Sequence, residues 1–232
     1  MAVNRDDLVR GSTPPPWISW PGMEIWERVF ALGGRREWPA KSVLYRYGDR
    51  ADELTLILDG IVGIEALGMS GAARNIGNLG PGGILGEAAF FTNGIYRHGI
   101  RCIVPCAGIT FSREAVLDRI LPEHPDLALY LFRNLAATSY MMSAQLEAMS
   151  FMSVEQQLAH FLWHLWEEQE RGSRIYRDIA AISLGQLGEM LGMHRVTVTR
   201  LMGGLKRDGV VSMTPRIRVE EPGELERIFN RG

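Results

Sequence analysis

Cysteine is nearly missing from this 232-residue chain, with Cys102 and Cys106 the whole supply. Two cysteines four positions apart, flanking Pro105, give no disulfide framework, and such a chain suits a reducing compartment. Long apolar runs are missing too: none approaches the roughly 20 residues that cross a bilayer. The opening stretch MAVNRDDLVRGSTPPPW lacks the apolar segment of a secretory signal. A cytoplasmic protein with no membrane partner is therefore expected. Charge of one sign is also lacking, since the net charge is −2, which excludes a histone-like coat of nucleic acid. Enzyme chemistry finds no foothold: there is no Ser-His-Asp arrangement, no phosphate-binding glycine loop and no metal cluster. Neither a catalytic residue nor a metal ligand is expected. His160 and His164 have a spacing that metals use, but Phe161, Trp163 and Trp166 around them indicate helix packing.

What the sequence does have is SLGQLGEMLGMHRVTVTRLMGGLK, residues 183–206. It reads as a helix-turn-helix. Gly188 is small where two crossing helices touch, and Gly192 suits a turn of positive φ. Leu187, Leu191, Met193, Val198 and Leu201 are apolar where the pair buries a shared core. Arg195, Thr197, Thr199 and Arg200 are polar at the start of the second helix, the part that enters a major groove. Residues 183–218 hold six basic and two acidic side chains, a local balance of +4 in an acidic protein. That pattern fits site-specific binding of double-stranded DNA.

Upstream, residues 37–111 are rich in short strand-like runs (42–47, 54–58, 61–66, 98–111) broken by Gly48, Gly60 and Gly68, as in an antiparallel roll or barrel. A short helical stretch is expected at 88–91. From Pro125 the period changes. Ala128, Leu131, Leu135, Thr138, Met142, Gln145, Met149 and Met152 alternate by three and four, the spacing of a coiled-coil seam. A hinge near 151–154 leads to a second helix at 155–171. Residues 210–219 read as a wing with Pro215 at its turn, and 225–229 as a terminal helix. The expected fold class is α+β: an N-terminal antiparallel β-roll, a long dimerisation helix and a C-terminal winged helix-turn-helix. The divisions fall at 1–20 (an arm), 21–124 (the roll), 125–152 (the dimer helix) and 153–232 (the DNA-binding domain).

Three stretches carry a family likeness: YGDRADELTLILDGIVGI (47–64), LGPGGILGEAAFF (79–91) followed by Arg97, and GMHRVTVTR (192–200). With the order of the elements, they resemble the Crp–Fnr family of bacterial transcription regulators over nearly the whole chain after residue 20. The last stretch is similar to the organohalide-respiration (CprK-like) branch. The resemblance implies a cyclic-nucleotide-binding-like jelly roll, a homodimer, an RNA polymerase partner and a small-molecule effector. It places Gly86, Glu87 and Arg97 where cyclic-nucleotide members grip their ligand, and Ser143 where the family contacts the base.

Residue chemistry agrees. N–H groups of Ala88 and Ala89 at a helix start, together with Arg97, favour an anion, and Glu87 can accept from a hydroxyl. Glu87 and Arg97 can also simply pair with each other. His98 departs from the family's Ser or Thr and argues against cyclic AMP. A phenol or aromatic acid is the other candidate, with Arg97 and His98 for its charge and Ile84, Leu85, Phe90 and Met142 for its ring.

No cysteine precedes Cys102, so the family's N-terminal iron–sulfur cluster is excluded. Haem has only His98 or His124 as a ligand. The resemblance makes Arg195, Val196, Thr199 and Arg200 base-facing, and Ser183, His194, Thr197 and Lys206 caps or phosphate contacts. Many members have Glu where Val196 stands. A valine can meet a thymine methyl only, which implies an AT-rich palindrome. Two other classes stay open: a nucleotide-type sensor module that controls a protein partner, and a haem-based gas sensor.

Overall fold

The computed structural model describes residues 15–230 apart from Pro21, Ser70 and Asn93. The first fourteen residues of the expected arm lie outside the described residues. After a 3-10 helix, Met23–Leu32, eight short strands follow: β1 (Gly34–Trp38), β2 (Val43–Tyr45), β3 (Glu53–Asp59), β4 (Val62–Leu67), β5 (Ala73–Leu79), β6 (Ile84–Leu85), β7 (Gly99–Cys102) and β8 (Cys106–Ser112). They form two four-stranded antiparallel sheets, ordered β1-β8-β3-β6 and β2-β7-β4-β5. The sheets close on Ile57, Val62, Leu79, Leu85 and Ile100, a core that β-branched and aliphatic side chains on pleated strands fill well. The run expected as one strand at 98–111 is two. Pro105 has no N–H for a ladder, and residues 103–105 cross from one sheet to the other.

Between β6 and β7 lies α1 (Glu87–Phe91). The long helix α2 (Pro125–Phe151) starts with proline at a position that needs no donor. Its Asp126 pairs with Arg28, and that hydrogen bond holds the carboxyl below its usual range. The helix stops before Ser153, which opens α3 (Val154–Glu170) with a reciprocal capping box to Gln156. Then come α4 (Arg174–Ala180), α5 (Leu184–Leu191), α6 (Arg195–Arg207), the wing strands β9 (Val211–Ser212) and β10 (Arg218–Val219), and α7 (Pro222–Phe229). Phe161, Leu162, Leu165, Leu187, Val198 and Met202 form the core of this second unit. His160 and His164 belong to its packing. Their Nε2 atoms lie 3.1 Å apart beside Phe229 and Trp17, and burial drives the His160 pKa down to about 3.

One face of α2 differs from expectation. Leu131, placed in the seam, is buried against the chain's own roll together with Leu127, Tyr130 and Asn134. Exposed apolar positions on α2 include Phe132 (69%), Leu135, Leu146 (66%) and Met149, beside Leu129, Tyr140 and Phe151. Of these, Phe132, Leu135, Leu146 and Met149 are spaced by three, eleven and three. With Ala128, Ser139 and Met142, the residues Phe132, Leu135, Leu146 and Met149 give a heptad that keeps four of the eight expected positions, moves three (Leu131, Thr138 and Gln145) by one residue, and drops Met152, which follows the helix end. The helix is apolar on two neighbouring faces, and spacing cannot tell which of them the roll takes.

The two units are docked on each other through a strap, residues 15–20. Trp17 is 2% exposed and sits in the helical unit's core, 5.0 Å edge-on to Phe161, while Ile18 runs beside Leu79 in the roll. Asn78 Nδ2 donates to Pro16 O and to Met190 O, Gln186 Nε2 donates to Ile103 O at 2.7 Å, and Arg174 pairs with Asp59 at 2.8 Å.

Candidate functional site

A cavity of about 540 Å³ lies between the roll and α2. Its walls are aliphatic, from Ile64, Leu79, Ile84, Leu85 and Ile100, and it is closed on one side by Thr138 and Met142 of α2. Gly86, Glu87, Ala88 and Ala89 form its floor where β6 turns into α1, and Arg97 and His98 stand exposed at its mouth. Six of the seven expected effector residues thus share one cavity.

Glu87 is its chemical centre. The side chain is 7% exposed, and burial raises its pKa to about 7. Among the described residues no ion pair joins Glu87 to Arg97. The carboxyl is a hydrogen-bonding group that a ligand hydroxyl or N–H can satisfy, in surroundings where an unmet polar group is costly. The His98 ring is partly covered, and that desolvation and the Arg97 charge hold it below its usual pKa. Ala88 and Ala89 are at the start of a five-residue helix, so their N–H groups add to the Arg97 field over a short range.

Two expectations fail here. Ser143 is exposed beside the α2 heptad and is no part of the cavity wall. Phe90 is fully buried on the opposite side, edge-on to Phe91 and under the Arg113 guanidinium at 4.2 Å, so it cannot hold a ligand ring. In both cases a helix turns the side chain away from where its neighbour points. Of the two haem candidates, His98 is at the cavity and His124 caps α2 outside it.

The sequence reading missed Thr138, Ile64, Ile100 and Tyr96. Thr138 lies one turn before Met142, a spacing that was available as a signal. Tyr96 stacks on Tyr45 with ring centres 4.2 Å apart, donates to Glu53 O, and has its pKa raised to about 12 by burial. Its side chain is the wall behind Gly86 and had no local signal.

The helix-turn-helix is built as its glycines predict. Gly192 caps α5 with φ 61°, and a Cβ on Gly188 would come within 2.9 Å of Met193 O, so the turn excludes a larger residue there. Ser183 caps α5 through a capping box with Gln186. His194 caps α6, its Nδ1 accepting from Val196 N. Arg195, Val196, Thr199, Arg200 and Lys206 are exposed, whereas Thr197 is half-buried and Val198 is buried. The recognition helix begins beside the roll. Ser183, His194 and Arg195 line a cleft of about 830 Å³ with Lys41, Arg74, Glu189 and the Arg101–Glu65 pair, so its first turn faces a mixture of cations and carboxylates.

Comparison with known proteins decides the family. Residues 35–121 match the model of the cyclic nucleotide-binding domain, and residues 156–228 that of the Crp-like helix-turn-helix domain. The chain belongs to the Crp–Fnr family.

It is 26% identical over 179 residues to the cAMP-activated global transcriptional regulator CRP of Pasteurella multocida (strain Pm70), covering 76% of this chain and 84% of that one. It is 26% identical over 190 residues to the global nitrogen regulator of Synechocystis sp., covering 78% and 82%. Among solved structures it shares its fold with the c-di-GMP responsive global regulator CLP of Xanthomonas campestris (TM-score 0.67, 22% identity, 83% of this chain and 96% of that one). CprK complexed with OCPA has the same fold (TM-score 0.67, 18% identity, 90% and 97%). This Crp–Fnr member is a DNA-binding transcription regulator with an effector-binding domain of the cyclic-nucleotide type. No described helix is long and apolar enough to cross a membrane.

Proposed function

We propose that the protein binds an AT-rich palindrome as a homodimer when a small acidic or phenolic aromatic effector occupies the cavity between the roll and α2. The observation that carries this reading is the double use of α2. Thr138 and Met142 close the cavity, and the next face of the same helix presents Phe132, Leu135, Leu146 and Met149 to solvent. A ligand that moves the first face moves the second. The effector acts only as far as it binds the DNA-competent state more tightly.

The aliphatic walls suit a ring, Arg97 suits a carboxylate or phenolate, and Glu87 suits a donor on the same molecule. Likeness to CprK is consistent with this effector class. The cyclic-nucleotide model and the CRP relatives favour cyclic AMP as a second reading, against which stands the bulk of His98.

For DNA, Arg200 is a candidate for a bidentate contact to guanine, and exposed Val196 offers only methyl surface, which matches thymine. Two recognition helices of a dimer require half-sites about one turn of DNA apart. The test is fluorescence anisotropy with a labelled AT-rich palindromic duplex, with no ligand, with cyclic AMP, and with a chlorinated phenolic acid. The phenolic acid is expected to tighten binding, and affinity is expected to fall steeply with salt. Arg200→Ala is expected to lose about 1–3 kcal/mol on this duplex and little on random DNA. Tightening by cyclic AMP alone selects the second reading. Equal losses on both DNAs remove Arg200 from base recognition.

The dimer seam is tested separately. An aspartate at Phe132 or Leu146 puts a charge into a packed apolar interface, and sedimentation is expected to show a monomer with an intact circular dichroism spectrum. The same change at Leu131 is expected to unfold the roll instead, because that side chain faces its own domain.

A further inference from the structure

Two histidines sit where the strap, α3 and α7 meet. His160 and His164 lie one turn apart on α3 and are 8% and 5% exposed. The strap sets the Trp17 ring edge-on to His164, with centres 6.3 Å apart. From α7, Phe229 stands edge-on to His160 at 5.6 Å, and Trp163 of α3 stands edge-on to His164 at 5.1 Å. These rings carry no charge. The charged neighbours come from α3 itself. Glu167 Oε2 is 2.9 Å from His164 Nδ1, and Arg171 pairs with the same carboxylate at 3.6 Å.

This geometry limits the hydrogens that the pair can hold. An ionised Glu167 only accepts, so it fixes a hydrogen on His164 Nδ1. The Nε2 atoms of the two rings are 3.1 Å apart, a hydrogen bond with room for one hydrogen between them. The closed pair thus holds at most three hydrogens on its four ring nitrogens, whereas two separated histidines hold four in acid. A fourth hydrogen would set two N–H groups head-on and put a second charge among buried rings. Burial first, and the His164 charge second, push His160 down to about 3, in the same direction. Glu167 is raised by its own burial, against the Arg171 charge.

We propose that the His160–His164 pair is an acid-sensitive latch, which opens on taking up its fourth hydrogen and frees the Trp17 strap and α7 from α3. The strap runs on into the roll, where Ile18 bridges to Leu79. An open latch therefore loosens the DNA-binding unit from the roll. The closed pair binds one proton fewer than the open one. Its stability is fully present above the ordinary histidine pKa of about 6.5 and is lost as pH falls below that value.

The test is amide hydrogen exchange of the full chain, without DNA or effector, from pH 7.5 to 5.0 and corrected for the pH dependence of free amides. Opening of the strap, α3 and α7 is expected to rise about tenfold per pH unit below 6.5, while β3 and β8 keep their protection. His160→Asn offers His164 Nε2 a donor or an acceptor as needed and has no proton to gain, so its profile is expected to be flat. Should that variant fold poorly, ring nitrogen-15 shifts of the unmodified protein decide the same point, because the closed pair is expected to take up one proton between pH 8 and 5, not two. A parent profile without slope, an equal slope in folded His160→Asn, an equal rise in β3 and β8, or two protons taken up by the closed pair would each overturn the proposal.

Discussion

Replacing Trp17 by alanine is expected to destabilise the docked molecule by about 3–5 kcal/mol, the range for removing a buried large aromatic. The indole is 2% exposed, edge-on to Phe161 and 6.3 Å from His164, and its backbone belongs to a strap whose next residue is in the roll. The loss therefore falls on the contact between the two units as well as on the helical core. Denaturant unfolding is expected to show an earlier transition for the helical unit, and hydrogen exchange is expected to rise in α3 and α5 but not in β3 or β8. An unchanged midpoint would mean that Asn78, Gln186 and the Arg174–Asp59 pair hold the units without the strap. Trp17→Phe keeps most of the apolar area and is expected to recover more than half of the loss.

Glu87→Gln is expected to make the protein more stable at pH 8 and to leave it nearly unchanged below pH 5. Burial raises the carboxyl's pKa to about 7 in the folded protein, against an ordinary value of 4.5. The folded state thus holds a proton that the unfolded chain has already released. Stability from this group is fully present below about pH 4.5, falls as pH climbs through the interval, and levels off above about 7. The integrated change is about 3 kcal/mol. Glutamine has no proton to lose, so the variant is expected to lack that slope in thermal unfolding across pH 4 to 8. Parallel curves for the two proteins would mean that Glu87 is ionised and solvated in the folded state. The same substitution removes the acceptor offered to an effector hydroxyl, so ligand binding is expected to weaken while the apo protein gains stability. A position that costs stability when empty is expected of a binding site.

Much of this molecule was legible in the residues. Glycines at 188 and 192 with apolar residues around them require a helix-turn-helix, because few other backbones need a small residue and a positive φ four positions apart. Ser183 and Ser153, each followed three residues later by Gln, mark helix starts by local hydrogen bonding. The Gly86, Glu87 and Arg97 set came from the family resemblance, and the turn into α1 and the residues just before β7 bring those positions to one cavity. These are short-range facts, fixed by backbone geometry within about a dozen residues.

Long-range packing decided the rest. Which apolar face of α2 meets the roll depends on Trp26, Phe111 and Ile84, far away in sequence, so Leu131, expected in the seam, is buried against the chain's own roll instead. Phe90 and Ser143 are in the right elements and point the wrong way for the roles first given to them, because orientation follows from what each helix packs against. That Trp17 enters the DNA-binding core, that Gln186 reaches Ile103, and that the recognition helix begins beside Lys41 and Arg74 are products of docking. Docking is set by the summed burial of surfaces distant in sequence, which no local pattern encodes.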